Sequence, residues 1–178
     1  MLITLPYDRT KAVAYADEWA YRRNPRFLDF HGLGGDCTNF ASQCLLAGVN
    51  ETMNYTPTFG WYYINSNDRT ASWTGVEYFY NFLVGNTGVG PFARVTEIDE
   101  MQPGDFIQLG DENYNFYHTL VVTTAGSPPS QQNILVAAHT NDVNCRQLDT
   151  YDIINIRYLH IEGYRRDDGR PRPPMMNR

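Results

Sequence analysis

Residues 32–48 run Gly-Leu-Gly-Gly-Asp-Cys-Thr-Asn-Phe-Ala-Ser-Gln-Cys-Leu-Leu-Ala-Gly, a glycine-rich turn that delivers Cys37 to the first turn of a buried helix. Phe40, Ala41, Cys44 and Leu45 follow Cys37 at i+3, i+4, i+7 and i+8, the spacing of one apolar helix face, and Gly48 supplies the stop. A thiol at a helix start lies near unpaired backbone N–H groups and the positive end of the helix dipole, and both favour the nucleophilic thiolate. Gly32, Gly34 and Gly35 allow backbone angles that a Cβ resists and leave room for a substrate to approach the sulfur. Cys44, mid-helix on the apolar face, reads as a packing cysteine.

A chain of 178 residues fits one domain and can bury a core without staples. Three cysteines do not make a disulfide scaffold. Cys37 and Cys44 would stand about 10 Å apart along a shared helix, too far to bridge, and Cys145, between Asn144 and Arg146, reads as a surface thiol in a polar loop. The net charge of -6 excludes a phosphate-binding surface as the main function, so no nucleic-acid partner is expected. Arg165, Arg166, Arg170, Arg172 and Arg178 crowd the C-terminus with Pro171, Pro173 and Pro174. This divides the chain into a domain over residues 1–164 and a disordered tail over 165–178. No segment is long enough to span a membrane, and the N-terminus lacks the pattern of an export signal, which leaves the localisation open.

The periodicity predicts a first helix over residues 8–23, capped by Asp8 or Thr10, with Ala12, Ala16, Trp19 and Ala20 on one face and Asn24-Pro25 beyond its end. Residues 49–71 form a long, irregular, aromatic stretch, whose rings either wall a substrate cleft or cover the core. Thr74-Gly75-Val76-Glu77 matches a capping box before a further helix that ends at Gly85. In the second half the period changes. Pro103-Gly104-Asp105 is a turn into a strand over residues 106–109, and strands are expected at 117–124, 134–138 and 153–164, forming an antiparallel sheet. The loop over residues 125–133 makes the second and third of these strands neighbours.

Period-two alternation places His118 with Leu120 and Val122, and His139 with Leu135 and Ala137. With a thiol on a helix tip, His118 becomes the candidate general base, because thiolate and imidazolium stabilise one another. His139 is then the group that orients the base, with Asn141 and Asp142 as rivals for that role. His31 and His160 read as surface or packing histidines. No metal site or cofactor is expected, because the four histidines and three cysteines show none of the short paired spacings that zinc requires.

Tyr7-Asp8-Arg9, Trp19-Ala20, Asn24-Pro25, GGDCTNFASQCLLAG, Trp61-Tyr62, Ser72-Trp73-Thr74-Gly75, PGDFIQL, YHTLVV and AAHTND together resemble the bacterial family known as the putative amidase domain, over nearly all of residues 7–164. That family is placed among papain-like cysteine hydrolases, near the NlpC and CHAP cell-wall enzymes. The resemblance implies an α+β, papain-like fold with the catalytic helix packed on an antiparallel sheet. It maps Cys37 onto the nucleophile, His118 onto the base and His139 onto the third polar residue. It implies acyl transfer to water on an amide of bacterial cell-wall peptide, in the cell envelope or outside the cell; a monomer is expected. Asp36, Trp61, Tyr62 and Trp73 are the candidate cleft residues. The alternatives are a transferase of the same chemistry and a non-catalytic cell-wall binding module.

Overall fold

The computed structural model describes residues 1–170. In chain order the elements are β1 (Leu2–Leu5), α1 (Arg9–Trp19), α2 (Cys37–Gly48), β2 (Tyr63–Asn65), β3 (Asp68–Arg69), α3 (Ala71–Thr74), α4 (Val76–Gly85), β4 (Gly90–Thr96), β5 (Phe106–Gly110), β6 (Phe116–Thr124), β7 (Leu135–Ala138), β8 (Val143–Gln147) and β9 (Asn155–Asp167). The fold is α+β with an antiparallel seven-stranded sheet in the order β1-β9-β5-β6-β7-β8, and β4 also on β9.

β9 organises the sheet. One of its edges pairs with β4 from Tyr158 to Arg165. The other pairs with β5 over Asn155 to Leu159 and with β1 over Tyr164 to Asp167. Between β5 and β1 no strand reaches Ile161, and side chains take the vacant place. The fully buried Asp105 accepts from the Ile161 N–H at 2.9 Å, and Arg9 donates to the Ile161 carbonyl at 2.8 Å and to Asp105 at 2.7 Å. The turn before β5 therefore completes the sheet as well as reversing the chain.

Both faces of the sheet are covered, which is why period two yields two cores. Phe106, Val121, Ala137 and Leu159 face α1, α2 and α4, whereas Ile107, Leu120, Val122 and Val136 face a second cluster with Met101, Ile134 and Leu148. α2 is buried on every side except at Ala47, so its polar residues need partners. Ser42 Oγ accepts from Trp61 Nε1 at 3.1 Å and donates to the Trp73 carbonyl at 2.9 Å, and Gln43 accepts from the Tyr15 hydroxyl at 2.6 Å.

Four elements depart from the sequence expectation. The first helix stops at Trp19, whose carbonyl is taken by His139 Nε2 and Arg22 N. The capping box before α4 is not used: Gly75 is the N-cap and no side chain caps it. Asn144-Cys145-Arg146 is not loop but part of edge strand β8, paired with β7. Residues 165–167, expected in the tail, are the end of β9, held by β1; residues 171–178 of that tail lie outside the described residues.

Gly48 closes α2 against the ring of Tyr7, whose hydroxyl donates to the Gly104 carbonyl at 2.8 Å. A Cβ at Gly48 would overlap that ring and lie 3.0 Å from the Asp8 carbonyl. Gly48→Ala is expected to lose about 1–3 kcal/mol by overpacking, read as a lower midpoint in urea unfolding, despite alanine's better helix propensity.

Candidate active site

The turn before α2 is held by a carboxylate. Gly34 and Gly35 adopt φ of +102° and +108°, the left-handed region that side chains disfavour, and this turn directs the Asp36 side chain inward. Asp36 is fully buried. Its Oδ1 accepts from Phe30 N and from Asn39 Nδ2, both at 2.8 Å, and its Oδ2 meets His139 Nδ1 at 2.5 Å. Arg23 Nε lies 3.6 Å away. With both oxygens engaged, Asp36 occupies the N-cap position without giving a side-chain cap. The first N–H groups of α2, beginning with Cys37, therefore receive no cap from the Asp36 side chain.

Cys37 is 7 % exposed. The β6–β7 ladder has its last pair at Val121 and Ala137, so no β7 partner lies beside Thr119. The Thr119 backbone N–H turns instead to the Cys37 sulfur, which also lies 3.8 Å from Thr38 Oγ1. A buried polar chain supports this corner: Thr38 Oγ1 bonds Thr119 Oγ1 at 3.0 Å, Gln108 Nε2 donates to Thr119 Oγ1 at 3.1 Å, and Arg157 Nε donates to Gln108 Oε1 at 2.8 Å. The thiolate expected from the helix position does not follow. Burial pushes the Cys37 thiol above its ordinary pKa, and the N–H groups of Thr119 and Thr38 only partly offset it.

His118 follows its expected alternation, but the face it shares with Leu120 and Val122 is the one turned away from α2. It reaches the helix side at the open edge of β6. A cavity of about 200 Å³ is walled by Cys37, Gly34 and Gly35 on one side and by Tyr117, His118, Thr140 and Asn141 on the other. No hydrogen bond joins Cys37 to His118. Burial, followed by the charge of Arg146, lowers the His118 pKa to about 4, so the ring is neutral near pH 7.

His139 is not assembled with His118. Its two ring nitrogens face Asp36 Oδ2 and, at 2.8 Å, the Trp19 carbonyl, and its ring stacks on Phe40 at 4.0 Å between centroids. Asp142 is held by Arg23 through contacts of 2.8 and 3.0 Å. Of the three residues considered for the orienting role, Asn141 alone walls the cavity with His118. The expected cleft residues are elsewhere. Trp61 and Trp73 are fully buried and stacked at 4.8 Å, Asp36 is the buried anchor, and Tyr62 packs near Tyr55 and donates to Asp68 at 3.1 Å. Tyr117 and Thr140, which do line the cavity, carried no sequence signal beyond their nearness to His118 and His139. Among the described residues no group of His, Cys, Asp and Glu is arranged to hold a metal ion.

A family model described as "Putative amidase domain" matches residues 6–161. The chain belongs to this amidase domain family. It is also 33 % identical over 144 residues to the uncharacterized protein YhbB of Bacillus subtilis, a match covering 79 % of this chain and 43 % of that protein. The chain thus spans less than half the length of that relative. No solved structure matches it. In this member of the amidase domain family, the motif GGDC combines an anchoring aspartate with two glycines and a cysteine that wall the cavity.

Removing one partner from a buried ionic network leaves the others desolvated and unpaired. Asp36→Ala is expected to destabilise the amidase domain by about 3–5 kcal/mol, whereas Asp142→Asn, at a partly exposed contact of Arg23, is expected to cost about 1 kcal/mol or less. Urea unfolding of the two variants side by side measures the difference.

Proposed function

We propose that this domain is a cysteine-dependent amidase of papain-like architecture, with Cys37 as nucleophile, His118 as general base and Asn141 as the residue that orients His118. The observation that carries this is the shared cavity: a thiol at a helix mouth that Asp36 leaves uncapped and an imidazole with no hydrogen-bond partner among the described residues line one solvent-accessible space. The papain-like description rests on the helix that starts with cysteine and packs on an antiparallel sheet bearing the histidine one strand end away.

With Cys37 raised and His118 lowered, the resting pair is neutral thiol and neutral imidazole rather than an ion pair. The proton then moves as the substrate carbonyl enters the cavity. His118 takes it from the thiol, the Sγ–C bond forms, and the oxyanion is met by the Cys37 backbone N–H. His118 returns the proton to the amide nitrogen as the C–N bond breaks, leaving a thioester. Water then attacks the thioester carbonyl, giving a proton to His118, which passes it to the leaving sulfur as the C–S bond breaks, releasing the acid and restoring the thiol. The substrate class proposed is an amide of bacterial cell-wall peptide, following the resemblance to NlpC and CHAP enzymes.

Amine release from cell-wall peptide amides provides the assay. Cys37→Ala is expected to abolish turnover, and His118→Ala to lower kcat/KM by about 10²–10⁴-fold. Because the base must be neutral, activity is expected to persist below the ordinary histidine pKa and to fall only as pH drops through about 4. Alkylation of Cys37 in the resting protein is expected to be slow at pH 7. Turnover surviving in Cys37→Ala would overturn the assignment, and an acid limb near pH 6.5 would show that His118 is solvated in the working enzyme.

A further inference from the structure

A second cavity, of about 230 Å³, adjoins the first and shares Tyr117, His118, Thr140 and Asn141 with it. Cys37 borders only the first chamber, and Arg146 and Tyr151 border only the second, so His118 stands where the two meet. A substrate whose carbonyl reaches Cys37 past His118 therefore extends along this wall.

The second chamber is built around one cation. Arg146 Nε donates to Thr150 Oγ1 at 2.9 Å and its Nη2 to the Thr150 carbonyl at 3.0 Å, while the guanidinium lies over the Tyr151 ring at 3.7 Å. These contacts hold the fork in place without neutralising it. Among the described residues no carboxylate comes within ion-pair distance of Arg146, whereas Arg9, Arg23, Arg94 and Arg157 each have at least one. Asp152 borders the same chamber but is exposed at its rim, where water screens it, while Arg146 is half-buried. A fixed, unneutralised guanidinium beside a reactive centre is suited to bidentate recognition of a carboxylate.

We infer that Arg146 forms a carboxylate subsite, and that the substrates of this domain carry a free carboxylate next to the scissile amide. This rests on the amidase assignment of Cys37, and the carboxylate is on either the acyl or the amine side of the bond. Four terminally blocked dipeptides separate these sources: Glu-Ala against Gln-Ala, and Ala-Glu against Ala-Gln.

The wild-type domain is expected to favour the acidic member of one pair by about 10–100-fold in kcat/KM, as one charge-assisted interaction allows. In Arg146→Gln that ratio is expected to collapse to near one, with Arg146→Lys intermediate because charge remains but the fork is lost. Cys37-dependent cleavage of all four at equal rates would overturn the subsite and leave the amidase assignment standing. If none is cleaved, calorimetry with Cys37→Ala decides: tighter binding of one acidic peptide that depends on Arg146 supports the subsite while counting against hydrolysis, and equal binding of all four overturns it.

Discussion

A carboxylate removed from water must be met by donors from the protein, and at Asp36 those donors come from separate parts of the chain. Phe30 N belongs to the turn, Asn39 to α2 and His139 to the end of β7, while Arg23, from the segment after α1, adds an ion-pair contact at 3.6 Å. The cost of leaving any of these groups unpaired in the interior fixes where the turn, the helix and the strand end meet. Cys37 is the next residue along, so its place at the helix mouth is set by this network.

A second Gly-Asp pair does the same for the sheet. Gly104 adopts φ of +87°, and Asp105 is buried where it satisfies the Ile161 N–H between two strands that share the edge of β9. Arg9 completes that junction and ties the start of α1 to it. Both dipeptides thus use glycine to turn the backbone and aspartate to join segments distant in sequence. Around them α2 is buried with its polar side chains satisfied, Ser42 and Asn39 by the indoles of Trp61 and Trp73 and by the Trp73 carbonyl.

The proposed reactive centre lies at the open edge of β6. Because β7 pairs no further than Val121, the Thr119 N–H is available to sulfur and the two faces of the sheet communicate through one cavity. Burial sets both protonation states in the same direction, toward the neutral forms, since charge is costly for thiol and imidazole alike in a poorly solvated space. The adjoining chamber places a fixed positive charge beyond His118, which adds to the cost of protonating that ring.

Local physics was legible in the chain. α2 begins at Cys37 and ends at Gly48 as its spacing and terminal residues required, and β5, β6, β7 and β9 lie within a few residues of their alternating apolar runs. Pairing was legible where the loop was short, as between β6 and β7. β4 and β8 were not foreseen: Gly90–Thr96 is largely buried but without alternation, and Val143–Gln147 buries no residue fully, so neither shows a clean period. The sequence by itself determined the candidate nucleophile's position at a helix start and the alternation of His118. Only tertiary structure decided that His139 serves Asp36, that Trp61 and Trp73 are core, and that Cys37 rests as a thiol. Those outcomes depend on contacts such as Asp36 with His139, 103 residues apart, and on desolvation. Neither leaves a local mark, because both are set by what the whole fold packs around a side chain.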